Sequence, residues 1–334
     1  QLLGLASGAN TVKMKMGHSS SPVDQGGTGG SRTIERAGPQ LRQAAAGARL
    51  ELLKRASARR QMPMEKLTIK DGVVSVVGSP EKKVSYAELI GGKRFNVTIT
   101  VDGNAVATRK VAPDVRAKDP KEYQIVGKSI PRVDLPAKLT GEFTYTQDVR
   151  VPGMLHGRVV RPAVVASKPL SVDESPVKQI PGLVKVVREG SFVGVVAKTE
   201  WAAIQAAKAL KVTWSEPATK LPADYDALYA YLKNTKSFRD EAIVDKGNPA
   251  TALSQASKTF TATYHWPFQM HGMVGPSCAV ADVRGNKATI WTGTQGPLRT
   301  RAGVAELLGV PQENVRLIYR EGSGSYGRFS NDGV

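Results

Sequence analysis

Cysteine is almost absent from this sequence of 334 residues, in which Cys278 is the one thiol. A single thiol excludes an internal disulfide framework, and it excludes any iron–sulfur or cysteine-rich zinc site that this chain would build alone. If iron–sulfur centres take part in the function, a partner carries them. No apolar run approaches the roughly 18 residues that a membrane-spanning helix needs. The composition fits a globular protein of two or three domains.

Acidic residues are few relative to basic ones. The chain has 47 Lys and Arg against 29 Asp and Glu, which gives a net charge of +18. The basic residues are spread along the chain, although six of them gather on one predicted helix: Arg42, Arg49, Lys54, Arg55, Arg59 and Arg60. No aromatic set for base stacking is interleaved with them. We therefore expect a solvated or subunit-facing helix and no nucleic-acid partner.

Neither end resembles a natural terminus. The chain begins with QLLGLASG rather than with Met, and it stops at NDGV, residues 331–334. We therefore expect a piece of a longer protein, in which a missing signal peptide gives no information on location.

The first part of the chain predicts one long helix. A polar loop, residues 18–31, precedes it, and Ser31 is a suitable helix cap. The apolar residues that recur at three- and four-residue steps are Ile34, Ala37, Leu41, Ala44, Ala48 and Leu52. This spacing predicts one buried face on a helix that ends before Pro63.

Shorter elements are predicted to follow this helix. Residues 67–77 (LTIKDGVVSVV) indicate a hairpin that turns at Asp71 and Gly72. Residues 85–89 (SYAEL) indicate a helical turn, and residues 91–120 indicate an extended connection.

The residue pattern from about residue 125 to residue 216 is typical of a compact α+β unit. Predicted strands lie in GEFTYTQDV (141–149), GMLHGRVVRP (153–162), LVKVVREGSFVGVVA (183–197) and LKVTW (210–214). A helix at 200–210, capped by Thr199, lies between two of them. A further helix is predicted in DYDALYAYLKN, residues 224–234.

The last part of the chain predicts strands, a helix, another strand and a bare loop. Strands are predicted at 257–265, 277–283 and 287–292, and an amphipathic helix contains Leu298, Val304, Leu307 and Leu308. The strand VRLIY (315–319) then leads into EGSGSYGR, residues 321–328. Such a loop suits close approach of backbone N–H groups to an anion. It lacks the Lys-Ser/Thr ending of a P-loop, so by itself it is equally an ordinary tight turn.

Four stretches in this order resemble the molybdopterin-binding large subunit of the xanthine dehydrogenase and aldehyde oxidase family. They are TQGP (294–297), RTRAGVAELLGVP (299–311), NVRLIY (314–319) and GSGSYGR (322–328). Upstream, YHWPFQMHGMVGPSCAVADV (264–283) is similar to the first molybdenum-domain strand pair of that family. Residues 138–162 together with 190–214 resemble its small hammerhead domain.

The position of one further segment narrows the resemblance. The segment DQGGTGGSRTI (24–34) precedes the hammerhead-like region. This order resembles the large subunits of the isoquinoline 1-oxidoreductase and nicotinate dehydrogenase type. The expected fold is α+β, an α/β hammerhead domain plus parts of the molybdenum cofactor-binding domains. The expected boundaries are 1–120 for a partial N-terminal cofactor-binding segment with the basic helix and a linker, 121–216 for the hammerhead domain, and 217–334 for a truncated molybdopterin-binding domain.

The resemblance also implies roles for individual residues. Gln295 would hydrogen-bond an oxo ligand of molybdenum, because an amide N–H₂ donates without adding charge. Tyr326 would lie beside the metal centre, in place of the Phe that is more usual. The residues implied to bind the cofactor are Gly27, Thr28, Gly29, Gly30, Ser31, Gln295, Gly324, Ser325, Gly327 and Arg328. Arg328 has two equally supported interpretations: a solvated side chain, or a side chain that binds a phosphate or a substrate carboxylate. His18 and His271 have no second ligand at metal spacing, so no metal-ligating residue is predicted.

The activity implied by the resemblance is the hydroxylation of an N-heterocycle or the oxidation of an aldehyde, with water as the oxygen source. The implied cofactor is molybdenum-molybdopterin, with the cytosine dinucleotide form as one candidate. The implied partners are a small [2Fe-2S] subunit and, further along, a cytochrome c acceptor. The catalytic Glu would lie beyond Val334, so the fragment alone is expected to be inactive. The alternative is a non-catalytic module whose basic helix docks an acidic protein.

Overall fold

The computed structural model describes residues 18–20, 26–93, 115–217, 220–269, 271–275 and 277–327. The α-helices are α1 (Gly38–Arg60), α2 (Tyr86–Ile90), α3 (Leu135–Thr140), α4 (Glu200–Ala209), α5 (Tyr225–Asn234), α6 (Pro249–Ser254) and α7 (Pro297–Leu308). The strands are β1 (Leu67–Lys70), β2 (Val73–Val76), β3 (Ser79–Ser85), β4 (His156–Val159), β5 (Pro169–Asp173), β6 (Leu183–Glu189), β7 (Phe192–Ala197), β8 (Lys211–Trp214), β9 (Ala279–Arg284), β10 (Lys287–Thr292) and β11 (Val315–Tyr319). The fold is thus a mixture of helices and strands, as the sequence predicts.

The chain divides into two compact units. Unit 1 comprises residues 1–150 and 269–334, and unit 2 comprises residues 151–268. Unit 2 is therefore inserted into the sequence of unit 1, whose parts come from both ends of the chain.

The N-terminal part of unit 1 is a helix packed on a small antiparallel sheet of order β1-β2-β3. The hairpin turns at Asp71 and Gly72, as predicted, and both residues have positive φ (52° and 78°), the geometry that a tight two-residue hairpin turn requires. On the helix side, Leu53 and Ala56 pack against Val74, which is 1% exposed. This contact is made by the C-terminal half of α1.

The C-terminal part of unit 1 contains a sheet of order β11-β10-β9. Strand β10 is antiparallel to β9 and parallel to β11, and α7 connects the two parallel strands. Buried Ile290, Val304 and Val315 fill the space between helix and sheet. Ser19 extends the sheet beyond β11, because its N–H donates to the Leu317 carbonyl at 3.1 Å and its hydroxyl accepts from the Leu317 N–H at 2.9 Å.

Unit 2 contains a sheet of order β4-β7-β6 and a separate pair β5-β8. Helix α4 packs on this sheet and begins at Thr199, whose hydroxyl accepts from the Ala202 N–H at 3.2 Å, so the predicted cap is confirmed. The core of the unit is apolar and consists of Val177, Val193, Val195, Ala206 and Leu210.

Two predicted strands are wrong. Residues 141–149 form an irregular segment with a 3₁₀ turn at Thr146–Asp148. The Tyr145 N–H donates to the Asp148 carboxylate at 3.0 Å and the Thr146 N–H to the Glu321 carbonyl at 2.7 Å, so local and distant loop acceptors replace a partner strand. Residues 257–265 pair with no strand in the part of the chain that the structure describes. His265 stacks on Tyr229 of α5 instead, at 4.6 Å between ring centroids. Residue types that favour strands are thus present in both segments, but neither segment has a partner strand among the described residues.

The predictions for the start of the long helix are also wrong. A π-helical turn, Thr33–Ala37, precedes α1, and no side chain caps it; Ser31 has φ of 53° and lies before Arg32, which occupies the cap position. Leu52 is buried as predicted, but Ile34 is 89% exposed. The helix residues that pack on the β1-β2-β3 sheet are Leu53 and Ala56, which the predicted stripe did not include. Most of the predicted extended connection at 91–120 lies outside the described residues.

Two features are absent from the described residues. No helix in these ranges has both the length and the apolar character to cross a membrane. Within the same ranges, no group of His, Cys, Asp and Glu side chains is arranged to hold a metal ion.

Candidate functional site

Two predicted site segments begin side by side at the carboxyl ends of β10 and β11. The strands are parallel, and Thr292 at the end of β10 is the register partner of Tyr319 at the end of β11. The pairing continues one residue further, since the Arg320 N–H donates to the Thr292 carbonyl at 3.1 Å. The carboxyl edge of parallel strands is where open α/β sheets bind ligands. The chain leaves this edge through Gln295 on one side and through the glycine loop, residues 322–327, on the other.

The polar loop 26–31 is joined directly to Gln295. The Thr28 N–H donates to the Gln295 carbonyl at 2.8 Å, and Gln295 Nε2 donates to the Thr28 carbonyl at 2.6 Å. The two residues are 267 positions apart in the sequence. A side chain at Gly27 would have its Cβ 3.6 Å from the same Gln295 carbonyl. The structure therefore brings together two segments that the sequence placed in one site.

The Gln295 side chain has unused hydrogen-bonding capacity. Its Oε1 is buried and has no hydrogen-bond partner among the described residues. Its N–H₂ group carries two protons, and the Thr28 carbonyl accepts from this group. Buried polar atoms are nearly always hydrogen-bonded, so an unpaired one points to a group that is missing from the site.

The two helical segments at this site begin without a side-chain cap. No side chain caps α7, whose N-cap residue is Gly296, and none caps the helical turn that begins at Thr33. Residues 26–31, which lead to that turn, are all exposed. Uncapped N–H groups and the helix dipole favour an anion at such ends. Acidic side chains are absent from the sequence of loop 26–31 and of the 293–296 turn, whereas Arg32 and Arg299 flank them.

The glycines of the glycine loop are closely approached by neighbouring protein groups. A Cβ on Gly324 would lie 2.9 Å from the ring of Tyr326, and a Cβ on Gly327 would lie 3.2 Å from the ring of His271. Ser323 Oγ donates to the Gly275 carbonyl at 2.8 Å. The missing side chains thus let the loop fold closely over its own tyrosine and against residues 271–275.

Tyr326 is the large side chain that this loop presents. The residue is 62% exposed and its φ is 48°, a backbone conformation that is uncommon for a non-glycine residue. The exposure excludes a role in core packing. The Gly327 N–H donates to the hydroxyl of Ser325 at 3.2 Å, which closes the turn around the tyrosine.

The base of the glycine loop carries an ion network. The Lys138 Nζ lies 2.8 Å from Asp134 and 2.6 Å from Glu321. Hydrogen bonds to Asp134 and then to Glu321 raise the pKa of Lys138, and hydrogen bonds from Arg132 and then from Lys138 lower the pKa of Asp134. Lys138 is therefore a cation and Asp134 an anion at neutral pH.

The residues of this network carry no signal in the sequence. Lys138 and Thr146 each contact Glu321, across 183 and 175 positions respectively. Hydrophobic periodicity does not report such contacts. Arg328, which the sequence analysis placed in the site, lies outside the described residues. His18 forms an isolated antiparallel bridge with Ile318, and His271 packs against Gly327.

The basic side chains of α1 are largely used inside the chain. Four of the six contact groups of this protein: Arg42 with the Tyr123 hydroxyl, Arg55 with Glu51, Arg59 with the Glu88 carbonyl and Arg60 with the Lys83 carbonyl. The contacts of Arg42, Arg59 and Arg60 join α1 to other segments of unit 1, whereas Arg55 and Glu51 both lie on α1. Of these four contacts, the one between Arg55 and Glu51 pairs opposite charges, so the helix keeps most of its positive charge.

Comparison with known proteins identifies the class to which this site belongs. Residues 2–166 and residues 233–330 each match a family model described as a molybdopterin cofactor-binding domain. A nicotinate dehydrogenase subunit from Pseudomonas putida is 39% identical over 331 residues, which are 97% of this chain and 26% of that protein. The beta subunit of isoquinoline 1-oxidoreductase from Brevundimonas diminuta is 25% identical over 92% of this chain and 43% of that protein.

A solved structure is also similar to this chain. The quinoline 2-oxidoreductase of Pseudomonas putida 86 matches with a TM-score of 0.47 and 18% identity, over 61% of this chain and 31% of that one. The chain spans about a quarter to less than half of the length of the two curated relatives named above.

The two family models and the relatives identify a molybdopterin-binding subunit. The chain belongs to the xanthine dehydrogenase and aldehyde oxidase family, as the sequence motifs predicted, and its similarity extends to the nicotinate dehydrogenase and isoquinoline 1-oxidoreductase members.

The residues present fit the cofactor of this family. The buried, unpaired Oε1 of Gln295 and the backbone donors of loop 26–31 meet in one place. An anionic phosphate suits backbone N–H groups with arginines nearby. Neither loop 26–31 nor the 293–296 turn has a carboxylate of its own, although Glu35 lies in the first turn of the helical segment that follows the loop. An oxo or pterin group suits a neutral amide, which both donates and accepts.

Proposed function

We propose that this chain forms part of a molybdenum hydroxylase that hydroxylates an N-heteroaromatic compound or oxidises an aldehyde. The observation that carries this proposal is the pair of hydrogen bonds between Thr28 and Gln295, which presents a buried amide beside a loop rich in backbone donors. Its context is a chain of the xanthine dehydrogenase family.

The loop Gly27, Thr28, Gly29, Gly30 and Ser31 would hold the pterin and its phosphate end. Backbone N–H groups and the Ser31 hydroxyl suit this task, since they bind an anion without a competing charge. A cofactor with a cytosine dinucleotide would extend this anionic portion.

Gln295 would contact the metal end of the cofactor. Its carbonyl and one amide proton are fixed on Thr28, so the side chain cannot rotate freely and its remaining donor and acceptor keep one orientation. Gly324, Ser325 and Gly327 would form the wall of the site, with Tyr326 as the aromatic surface offered to a substrate. Arg328, immediately after this loop, would meet a phosphate or a substrate carboxylate.

The bound cofactor would supply a two-electron oxidation of a carbon atom, with water as the source of oxygen. This chain has a single thiol, so the electrons would leave through a small subunit that carries [2Fe-2S] clusters, and from there to an acceptor such as a cytochrome c. The proposed domain arrangement is 1–120, 121–216 and 217–334, with the middle segment as the α/β hammerhead. Helix α4 on the β4-β7-β6 sheet supports that part of the proposal.

Nicotinate is the first substrate to test, because the relative at 39% identity is a nicotinate dehydrogenase subunit. Isoquinoline and aromatic aldehydes follow, because the shared segments do not separate these chemistries. The alternative, a docking module for an acidic protein, is disfavoured because the relatives of this chain are named as dehydrogenase and oxidoreductase subunits.

The experiment uses the full-length protein expressed with its partner subunits. Elemental analysis is expected to give molybdenum together with pterin, and a dye-linked assay is expected to give turnover of at least one of the three substrate types. A protein that folds but holds neither molybdenum nor pterin would contradict the proposal.

A further inference from the structure

The glycine loop is held at its base by a segment that is far away in the sequence. Residues 132–148 precede unit 2 in the chain, whereas the loop follows it. The two segments nevertheless share an ion pair and a set of backbone hydrogen bonds. None of these contacts is needed to build β11, which is already paired with β10.

Lys138 makes the ionic part of this attachment. Its side chain is 16% exposed and that of Glu321 is 34% exposed, so the pair is shielded from solvent more than an ordinary surface pair. Asp134 holds the same ammonium group from the other side at 2.8 Å. The ammonium also lies over the ring of Phe143, 4.7 Å from its centroid. Lys138 is thus fixed from three directions and cannot follow Glu321 if the loop moves.

Thr146 makes the backbone part of the attachment. It is 1% exposed. Its N–H donates to the Glu321 carbonyl at 2.7 Å, and its hydroxyl lies 3.1 Å from the Arg320 carbonyl and 3.2 Å from the Glu321 carbonyl. A buried hydroxyl shared between two successive carbonyls defines the orientation of both peptide planes. These planes are the ones from which the loop leaves the strand.

The direction of that departure decides where Tyr326 lies. Beyond Glu321, the described loop has small residues as far as Tyr326, and the Ser323 hydroxyl gives a second attachment at Gly275. The backbone of such a glycine-rich segment can adopt many conformations. The position of the tyrosine therefore depends on attachments made from outside the loop.

We propose that Lys138 and Thr146 are positioning residues that set the direction of the glycine loop and hence the position of Tyr326 in the site. The effect on turnover rests on the proposed function, whereas the effect on the loop itself does not. The residues act through Glu321 and touch neither cofactor nor substrate in this proposal.

The test compares matched variants of the full-length protein with its partner subunits. Thr146→Val removes the hydroxyl and keeps the shape, whereas Thr146→Ser keeps the hydroxyl. Lys138→Met and Glu321→Gln remove the ion pair. Glu200→Gln is the control, because Glu200 forms a pair of similar length with Arg158 (2.7 Å) in unit 2.

Two measurements are made on each variant. Hydrogen exchange of the peptide that contains Thr146 and of the peptide that contains residues 320–327 reports the attachment, with or without cofactor. Molybdenum content and turnover per molybdenum report the consequence. Thr146→Val and Lys138→Met are expected to speed exchange at both peptides and to lower turnover per molybdenum about tenfold, since small misplacements of a site are costly. Thr146→Ser and Glu200→Gln are expected to match the parent protein.

The outcomes separate this proposal from the proposed function. Unchanged exchange and unchanged turnover in Thr146→Val and Lys138→Met, in folded protein that holds molybdenum, would overturn the positioning role. Thr146→Ser that is as impaired as Thr146→Val would overturn it as well. A parent protein without molybdenum would overturn the proposed function, while faster exchange in the variants would still support the attachment.

Discussion

Unit 2 and the carboxyl edge of the sheet in unit 1 are stabilised by different interactions. The core of unit 2 is apolar, with Val193 and Val195 each 1% exposed and α4 packed on the sheet that contains them. At the carboxyl edge in unit 1, backbone groups and polar side chains connect distant segments, for example Thr146 with Glu321 across 175 positions and Thr28 with Gln295 across 267. Unit 2 is thus stabilised by apolar residues that pack around its sheet. The candidate site in unit 1 is instead shaped by polar contacts between residues that are distant in the sequence.

The largest effect is expected from Leu317→Ala. This change tests whether unit 1 also has an apolar core beneath its polar edge. Leu317 on β11 is fully buried. Its truncation is expected to lower the free energy of unfolding by about 3 kcal/mol, through lost burial and the cavity left behind. The measurement is urea unfolding followed by circular dichroism.

Leu170→Ala is the matched control, because Leu170 also lies on a strand but is 60% exposed. It is expected to change the unfolding free energy by less than about 0.5 kcal/mol. Equal losses in the two variants would show that burial does not explain the stability of β11.

The same division explains how much of the molecule could be predicted from its sequence. Hydrophobic spacing gave α4, α7 and β11, and the Asp71-Gly72 turn gave the first hairpin. Residue pattern failed at 257–265, where Thr, Phe and Tyr favour a strand but the described chain offers no partner strand and His265 stacks on α5. The pattern of residues along a segment indicates its local conformation, but it does not show whether a partner strand is present.

The site could be predicted only as separate pieces. Motif resemblance gave Gln295 and the loop 26–31, and the structure adds that they are hydrogen-bonded to each other. Nothing in the sequence indicated that Lys138 and Thr146 meet the base of the glycine loop. A polar contact across such a separation leaves no periodic signal, because it depends on how the sheet and its connections fold together.

Gln295→Ala should have the next largest effect and should affect function rather than folding. With its side-chain amide removed, turnover per molybdenum is expected to fall about 100-fold, in line with the loss of one well-placed donor. The pterin is expected to remain bound, because the backbone bond from Thr28 to the residue 295 carbonyl is kept. The measurements are dye-linked turnover and pterin content.

Gln205→Ala on α4 is the control for this change, since Gln205 is exposed in unit 2. Its turnover and pterin content are expected to equal those of the parent protein. Unchanged turnover in Gln295→Ala would remove this side chain from the chemistry of the site.

Thr199→Ala should have a smaller effect, and it tests how the helices of the two regions begin. Thr199 caps α4 in unit 2, whereas α7 in unit 1 has no side-chain cap. Loss of the cap is expected to lower the unfolding free energy by about 1 kcal/mol. Thermal unfolding measures the loss. Thr199→Ser keeps the hydroxyl and should retain most of the stability, so an equal loss in both variants would assign the effect to packing of the methyl group instead.

The smallest effect is expected from Glu88→Gln. Glu88 lies in unit 1, but its contact is local, unlike the long-range polar contacts at the carboxyl edge of the sheet. Glu88 and Ser85 form a reciprocal cap at the start of α2, only three positions apart. Hydrogen bonds from the side chain and then the backbone of Ser85 lower the pKa of Glu88. Because the folded-state pKa lies below the unfolded one, this carboxylate stabilises the fold above the ordinary Glu pKa of about 4.3, and the contribution is lost as the pH falls through the folded-state value.

The difference in melting temperature between parent and variant should therefore be greatest near neutral pH and shrink on acidification below about pH 4. A difference that stays constant from neutral to acidic pH would show that the charge of Glu88 does not contribute, and that the cap acts through its geometry alone.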